Sequence, residues 1–313
     1  MGHLPIDIAA ALSKMFVFFR QRNTKQERQK ITAVAGFYSQ TVYNEIKKGS
    51  GKAMETGSMM DSIHRMTNEI AGALEGSLHC IWLYGSVVFG DFRMGWSDID
   101  FVALTDRPIT EKQANKLLTL RQTLSEGEPE NLYYRAFEGI IADIHEYNRN
   151  SYSKLVYWGT SGQRITNTYA NDVFSQLELS KYGRSVYGTA DRSIFSEPCR
   201  EDIVKAVRAH YEAIRKYACQ TDARLYSCGW LLDIARCIYT LRNNDVVAKT
   251  QAGIWALENH IFQNEAPLKR TLEIRLHPLE FRDREDVKQW LTGLGPTVQQ
   301  YADVLEAQLS LCL

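Results

Sequence analysis

The sequence predicts a chain of mixed class: an α/β or α+β sheet domain in the middle, a helical bundle after it and a small helical extension before it. Three observations predict this. Short apolar runs at 80–84 (CIWLY), 98–104 (DIDFVAL) and 139–147 (GIIADIHEY) read as strands and are interleaved with a helical stretch around 110–125. From about Glu201 the apolar positions change to a helical period. Between these parts and the start of the chain lies KKGSGKAMETGS (47–58), which has no hydrophobic periodicity and the Gly, Ser and Lys content of a flexible connection. The 313 residues fit about two domains at roughly 150 residues each. Boundaries after Gly57 and Ala170 divide the chain into 1–57, 58–170 and 171–313.

The first of these parts is basic. Lys plus Arg and Asp plus Glu both total 37, yet residues 1–57 hold nine basic against four acidic side chains, leaving 28 against 33 for the rest. A basic arm of +5 is thus joined to an acidic body of −5, and the two should have different partners. Within the arm, ERQKITAVAGFYSQTVYNEIKKG (27–49) reads as a helix-turn-helix: Ala35-Gly36 at a turn, Ser39 as a cap, and Thr41, Val42 and Ile46 on a second helix. The Gly-to-Thr-Val spacing resembles that of bacterial repressor headpieces. Ser39, Gln40, Thr41, Tyr43 and Asn44 would then face DNA, with Lys47 and Lys48 on phosphates. The alternative is a basic helical extension packed on the domain that follows.

Composition excludes several classes outright. With 44% hydrophobic and 24% charged residues the chain is neither disordered throughout, collagen-like nor a uniformly basic nucleic-acid coat. The six cysteines (80, 199, 219, 228, 237 and 312) contain no CxxC pair, which suits buried reduced thiols better than a disulfide frame or a zinc site. No apolar run approaches the ~18 residues a membrane span needs. Met15–Phe19, with only Lys14 before it, is too short for the core of a signal peptide, so a cytoplasmic protein is expected.

The chemistry is concentrated in IWLYGSVVFGDFRMGWSDIDFVAL (81–104). An apolar strand ends at Gly85, which can take a tight turn and let backbone approach a ligand. Ser86 then adds a hydroxyl and an N–H at an expected helix start, a natural cradle for phosphate oxygens. Twelve residues later Asp98 and Asp100 stand at i and i+2, so both carboxylates share one face while Ile99, Phe101 and Ala103 face the other way. Two anions so close repel unless a cation lies between them, and Mg²⁺ binds carboxylates together with substrate phosphates. An isolated Asp-x-Asp is usually a solvated strand edge. Following a Gly-Ser turn at this spacing, it is a candidate nucleoside triphosphate site, in which two metal ions would hold the attacking and leaving oxygens.

Gly85-Ser86, Gly90 and Ser97-Asp98-Ile99-Asp100 resemble the signature of the polymerase-β-like nucleotidyltransferase superfamily. That resemblance implies an α+β fold with a mixed sheet, ATP as co-substrate and Mg²⁺, two ions in all, on Asp98 and Asp100. It makes Gly85, Ser86 and Ser97 nucleotide-binding. The connecting loop is one residue longer than usual. The superfamily also uses a third carboxylate on a neighbouring strand, and YYRAFEGIIADIHEYN (133–148) offers two. Glu138 resembles the general-base Glu of aminoglycoside adenylyltransferases. Asp143, flanked by Ala142 and Ile144, would be costly to bury without a function. Both stand as candidates.

The helical part carries apolar stripes at Ile203, Val207, Tyr211 and Ile214, at Leu231, Ile234, Ala235 and Ile238, and at Val287, Leu291, Val298, Tyr301, Leu305 and Leu309, which predict a bundle. Within it Arg236 and Lys249, thirteen residues apart, resemble an Arg and Lys of streptomycin/spectinomycin adenylyltransferases that hold the nucleotide's phosphates. Residues 180–195 (SKYGRSVYGTADRSIF) resemble the Gly-containing connection into that domain. The acidic body suits a cationic acceptor, because a cleft of one sign concentrates the opposite charge. Asp222, Asp233 and Glu258 are candidates for its wall. The expectation is an adenylyltransferase moving AMP from ATP to a hydroxyl of a small cation, an aminoglycoside, with antibiotic resistance as the outcome. The rival is a DNA-binding regulator or antitoxin-like protein whose transferase domain senses nucleotide or modifies a protein. Acceptor and oligomeric state are not readable from sequence.

Overall fold

The computed structural model describes residues 59–159 and 162–312, so the candidate helix-turn-helix at 27–49 and the connection at 47–58 lie outside the described residues. The described chain opens with α1 (Met59–Ala73), which buries Ile63, Met66 and Ile70, a stripe at i, i+3 and i+7. Then come β1 (Leu78–Tyr84), β2 (Ile99–Thr105), α2 (Glu111–Gly127), β3 (Phe137–Asp143), α3 (Ile144–Arg149), β4 (Leu155–Gly159), β5 (Gly162–Thr166), α4 (Val173–Tyr182) and β6 (Arg184–Gly188). Helix α2 starts where Thr110 and Gln113 form a reciprocal capping box. The sheet order is β5-β4-β3-β2-β1-β6; β2 and β3 run parallel and the other neighbours antiparallel, which makes the sheet mixed.

Alternation along the strands sorts side chains between two cores. Ile99, Phe101 and Ala103 of β2 and Phe137 and Ile141 of β3 pack with Ile63, Met66 and Leu117 of α1 and α2. On the opposite face Val102, Leu104, Ile140 and Ala142 pack with Leu179 and Phe195. Burial of side chains of this size contributes roughly 1.5–3 kcal/mol each, so the strand faces are strongly specified. The third core is the bundle of α5 (Arg200–Tyr217), α6 (Tyr226–Asn243), α7 (Lys249–Glu258), α8 (Ala266–Leu276), α9 (Pro278–Phe281), α10 (Glu285–Thr292) and α11 (Gly295–Ser310), built around α6. Helix α4 belongs to both halves: Phe174 and Leu177 are in the bundle core and Leu179 is under the sheet.

Two details differ from the sequence reading. Residues 144–147 continue as helix rather than strand, because the Asp143 carboxylate accepts hydrogen bonds from the His145 and Glu146 N–H groups and so caps α3. The sheet also takes its last strand, β6, from 184–188, beyond the 58–170 span expected to build it, since β1 has an open edge that β6 pairs. All six cysteines are free. Among the described residues no helix is long and apolar enough to cross a membrane.

Candidate active site

The loop between β1 and β2 faces α4 and the bundle across a cavity of about 210 Å³. Its lining includes Gly85, Ser86, Ser97, Asp98, Asp100, Arg236 and Lys249 together with Tyr84, Asp91, Asp172, Glu178, Tyr226 and Arg275. Seven of the nine residues singled out from the sequence therefore meet in one place. The three acids named for an acceptor wall, Asp222, Asp233 and Glu258, are outside this lining, although Asp233 lies against Lys249, which is part of it.

Gly85 has φ +67°, and a Cβ there would run into Oδ2 of Asp100, so both the turn and the close approach require glycine. The turn over Gly85–Val87 is a single 3₁₀ turn, not the start of an α-helix as expected. It therefore offers backbone N–H groups without a helix macrodipole behind them. The Ser86 hydroxyl donates to the Asp98 carbonyl (3.3 Å), and the Ser97 hydroxyl accepts from the Arg93 N–H (3.0 Å). Both serines fix the shape of the loop that carries Asp98.

Asp100 lies on the same face of β2 as Val102 and Leu104, and Asp98 just precedes the strand. In the parallel β2–β3 register Asp100 is opposite Glu138, whose carboxylate is near enough to Asp98 to disfavour its charge. Burial, and then the neighbouring Glu138, push Asp98 up to about 6. Asp100 is likewise driven well up by burial and by Glu178, Asp98 and Glu138. Glu138 also accepts a hydrogen bond from the Tyr157 hydroxyl (2.9 Å), and Arg164 lies over the Tyr157 ring at 4.2 Å. Asp143, five positions on, has the opposite parity. It is 3% exposed and turned to the N-terminus of α3, so the structure does not bring it to the cluster. The carboxylate is satisfied by the His145 and Glu146 N–H groups, which accounts for its burial by helix capping.

Crowded carboxylates on one face are the hard oxygen donors Mg²⁺ prefers. Among the described residues no group of three His, Cys, Asp or Glu side chains is disposed to hold a metal ion by itself. Asp98 and Asp100 fit Mg²⁺ in the manner usual for nucleotide sites, with phosphate oxygens and water completing the shell.

The opposite wall is cationic but internally paired. Arg236 on α6 binds Glu178 (3.2 Å) and Asp233 (3.7 Å), and Lys249, the first residue of α7, binds Asp233 (2.9 Å). Burial opposes the Arg236 charge, yet Glu178 and Asp233 outweigh it and raise its pKa. Asp233 is likewise held down by Lys249 and Arg236 against burial. Sequence reasoning missed Glu178 and Arg275. The readable signal for Glu178 was a charged residue between Leu177 and Leu179, inside an apolar helix face. Arg275 carried none.

Residues 193–294 match the family model described as aminoglycoside adenylyltransferase, C-terminal domain. No curated protein sequence matches the chain. Among solved structures, spectinomycin adenyltransferase AAD(9) from Enterococcus faecialis, determined with ATP and spectinomycin, matches with TM-score 0.58 at 17% identity, over 80% of this chain and 100% of that one. The chain is therefore aminoglycoside adenylyltransferase-like: in fold along most of its length, and in sequence over residues 193–294.

Proposed function

We propose that the protein is a Mg²⁺-dependent adenylyltransferase that moves AMP from ATP to a hydroxyl of an aminoglycoside and releases pyrophosphate, so that its host becomes resistant to that antibiotic. The observation that carries this reading is the convergence in one cleft of the Gly85-Ser86 turn and the Asp98/Asp100 pair from the sheet with Arg236 and Lys249 from the bundle. These groups come from residues well over a hundred positions apart, and no single local motif would bring them together.

Each residue then has a definite task. Backbone N–H groups of the Gly85–Val87 turn meet phosphate oxygens, and Arg236 and Lys249 neutralise the triphosphate from the other side. Asp98 and Asp100 would hold Mg²⁺, which neutralises the phosphates and polarises the α-phosphorus. Glu138, beside Asp98 and oriented by Tyr157, accepts the proton of the acceptor hydroxyl as its oxygen attacks the α-phosphorus and the bond to the β-phosphate oxygen breaks. Asp172, a further carboxylate of the lining, adds negative charge that would draw in a cationic acceptor.

Incubation with ATP, Mg²⁺ and a panel of aminoglycosides is expected to yield an AMP adduct by mass spectrometry. If no member of the panel gains AMP, the acceptor class is wrong. Lys249→Met and Arg236→Met should each weaken ATP binding by about 10–100-fold, since a charge-assisted hydrogen bond contributes roughly 1.5–3 kcal/mol. Titration calorimetry with a non-hydrolysable ATP analogue measures this. Unchanged affinity in both variants would remove them from the nucleotide site. No observation on the described residues favours the regulator reading, whose DNA-contacting segment 27–49 lies outside them.

A further inference from the structure

The loop that joins the Gly-Ser turn to the aspartate pair is anchored in the bundle by an ion pair the proposed chemistry does not use. Asp91 and Arg275 have side chains only 6% and 2% exposed and meet at 2.7 Å. The same Arg275 donates through Nε to the Thr250 hydroxyl (3.0 Å) and through Nη2 to the Asp91 carbonyl (3.4 Å), and lies 5.4 Å from the centre of the Trp96 ring. Asp91 Oδ2 also accepts the backbone N–H of Thr250 (3.3 Å). Helix α7 has no side-chain cap of its own, so Asp91 caps it from a distant part of the chain.

The connections from Asp91 run directly to both walls of the cleft. Its backbone N–H donates to the Ser86 carbonyl (2.8 Å), tying it to the phosphate turn. Two residues on, Arg93 donates to the Ser97 hydroxyl and accepts from the Ser97 N–H, next to Asp98. On the other side, Thr250 follows Lys249. Phe89 and Trp96 pack against the bundle core and flank this anchor. A buried ion pair is a poor stabiliser, because desolvation offsets most of its attraction, and well-packed apolar residues usually replace it at little cost in stability. What it provides that apolar packing does not is a single geometry with directional bonds.

We propose that Asp91, with Arg275 and Thr250, is a positioning group that sets the distance and register between the sheet wall of the cleft (Ser86, Asp98) and its cationic wall (Lys249). The inference rests on the nucleotide reading of that cleft for its functional consequence, but the coupling itself is a property of the protein alone.

The test uses the full chain and three variants: Asp91→Asn, Arg275→Lys and the paired apolar replacement Asp91→Leu/Arg275→Met. The paired variant is expected to keep a melting temperature near wild type while binding a non-hydrolysable ATP analogue about 10–100-fold more weakly, the range typical of residues that orient a binding group. A paired variant with wild-type stability and wild-type affinity would show that the ion pair is merely packing and would overturn the proposal. If the paired variant does not fold, the two conservative variants decide by the same titration. Hydrogen exchange without nucleotide supplies an independent readout. Residues 86–97 and the first turn of α7 should lose protection together in every variant, whereas loosening confined to α8 would overturn the coupling. If the wild-type protein binds no ATP, the nucleotide reading fails, and the exchange experiment still decides whether the two walls are coupled.

Discussion

Glu138→Gln is expected to reduce AMP transfer by about 10²–10⁴-fold, the usual contribution of a positioned general base, with ATP affinity and melting temperature close to wild type. Asp143→Ala is expected to behave in the opposite way, retaining turnover per folded molecule while losing about 1 kcal/mol of stability, the usual effect of deleting a helix cap. The physical basis is strand parity. Glu138 shares the face of Asp100 and acts electrostatically on Asp98, whereas Asp143 is bound to the His145 and Glu146 N–H groups at the start of α3. Steady-state kinetics with the adenylated acceptor as readout, together with thermal melts, separate the two. A turnover defect in Asp143→Ala larger than that in Glu138→Gln would reverse the assignment.

Asp98→Asn and Asp100→Asn are each expected to abolish transfer, with losses of at least about 10³-fold. Each removes a charged ligand from the proposed Mg²⁺ site, and a metal ion supplies several kcal/mol of charge stabilisation in the transition state. Neither should unfold the protein. The amide is nearly isosteric, and it removes one of several like charges crowded around Glu138 and Glu178. The metal-free melting temperature should therefore hold or rise slightly, while Mg²⁺-dependent ATP binding is lost. Full activity in either variant would sink the proposed site. The combination of intact fold and absent activity distinguishes a lost ligand from a lost structure.

Much of the candidate site is legible in the sequence because its parts are local. A glycine forced into a positive-φ turn, two aspartates at i and i+2, and an Arg and Lys thirteen residues apart are short-range patterns, and all of them line the cleft. The strand faces were legible for the same reason, since Ile99, Phe101 and Ala103 do pack opposite to Asp100. Where an adjacent element competed, the reading was less accurate. Residues 144–147 carry strand-like composition, but the Asp143 cap turns them into helix, and a capping carboxylate is hard to tell from a catalytic one in sequence alone.

By itself, then, the sequence determined the class of fold and named most of the residues that line the candidate cleft, because periodicity, turn stereochemistry and carboxylate spacing act over a few residues. Only the tertiary structure placed Glu138, and not Asp143, beside the aspartate pair, through the parallel register that sets Asp100 opposite Glu138. It alone showed that Glu178 and Asp233 hold the cationic wall and that Asp91 meets Arg275 across 184 positions of chain. Such pairings depend on which strands become neighbours and how a helix is rotated in its bundle. Both follow from burial summed over the whole core, and no window of sequence contains that sum.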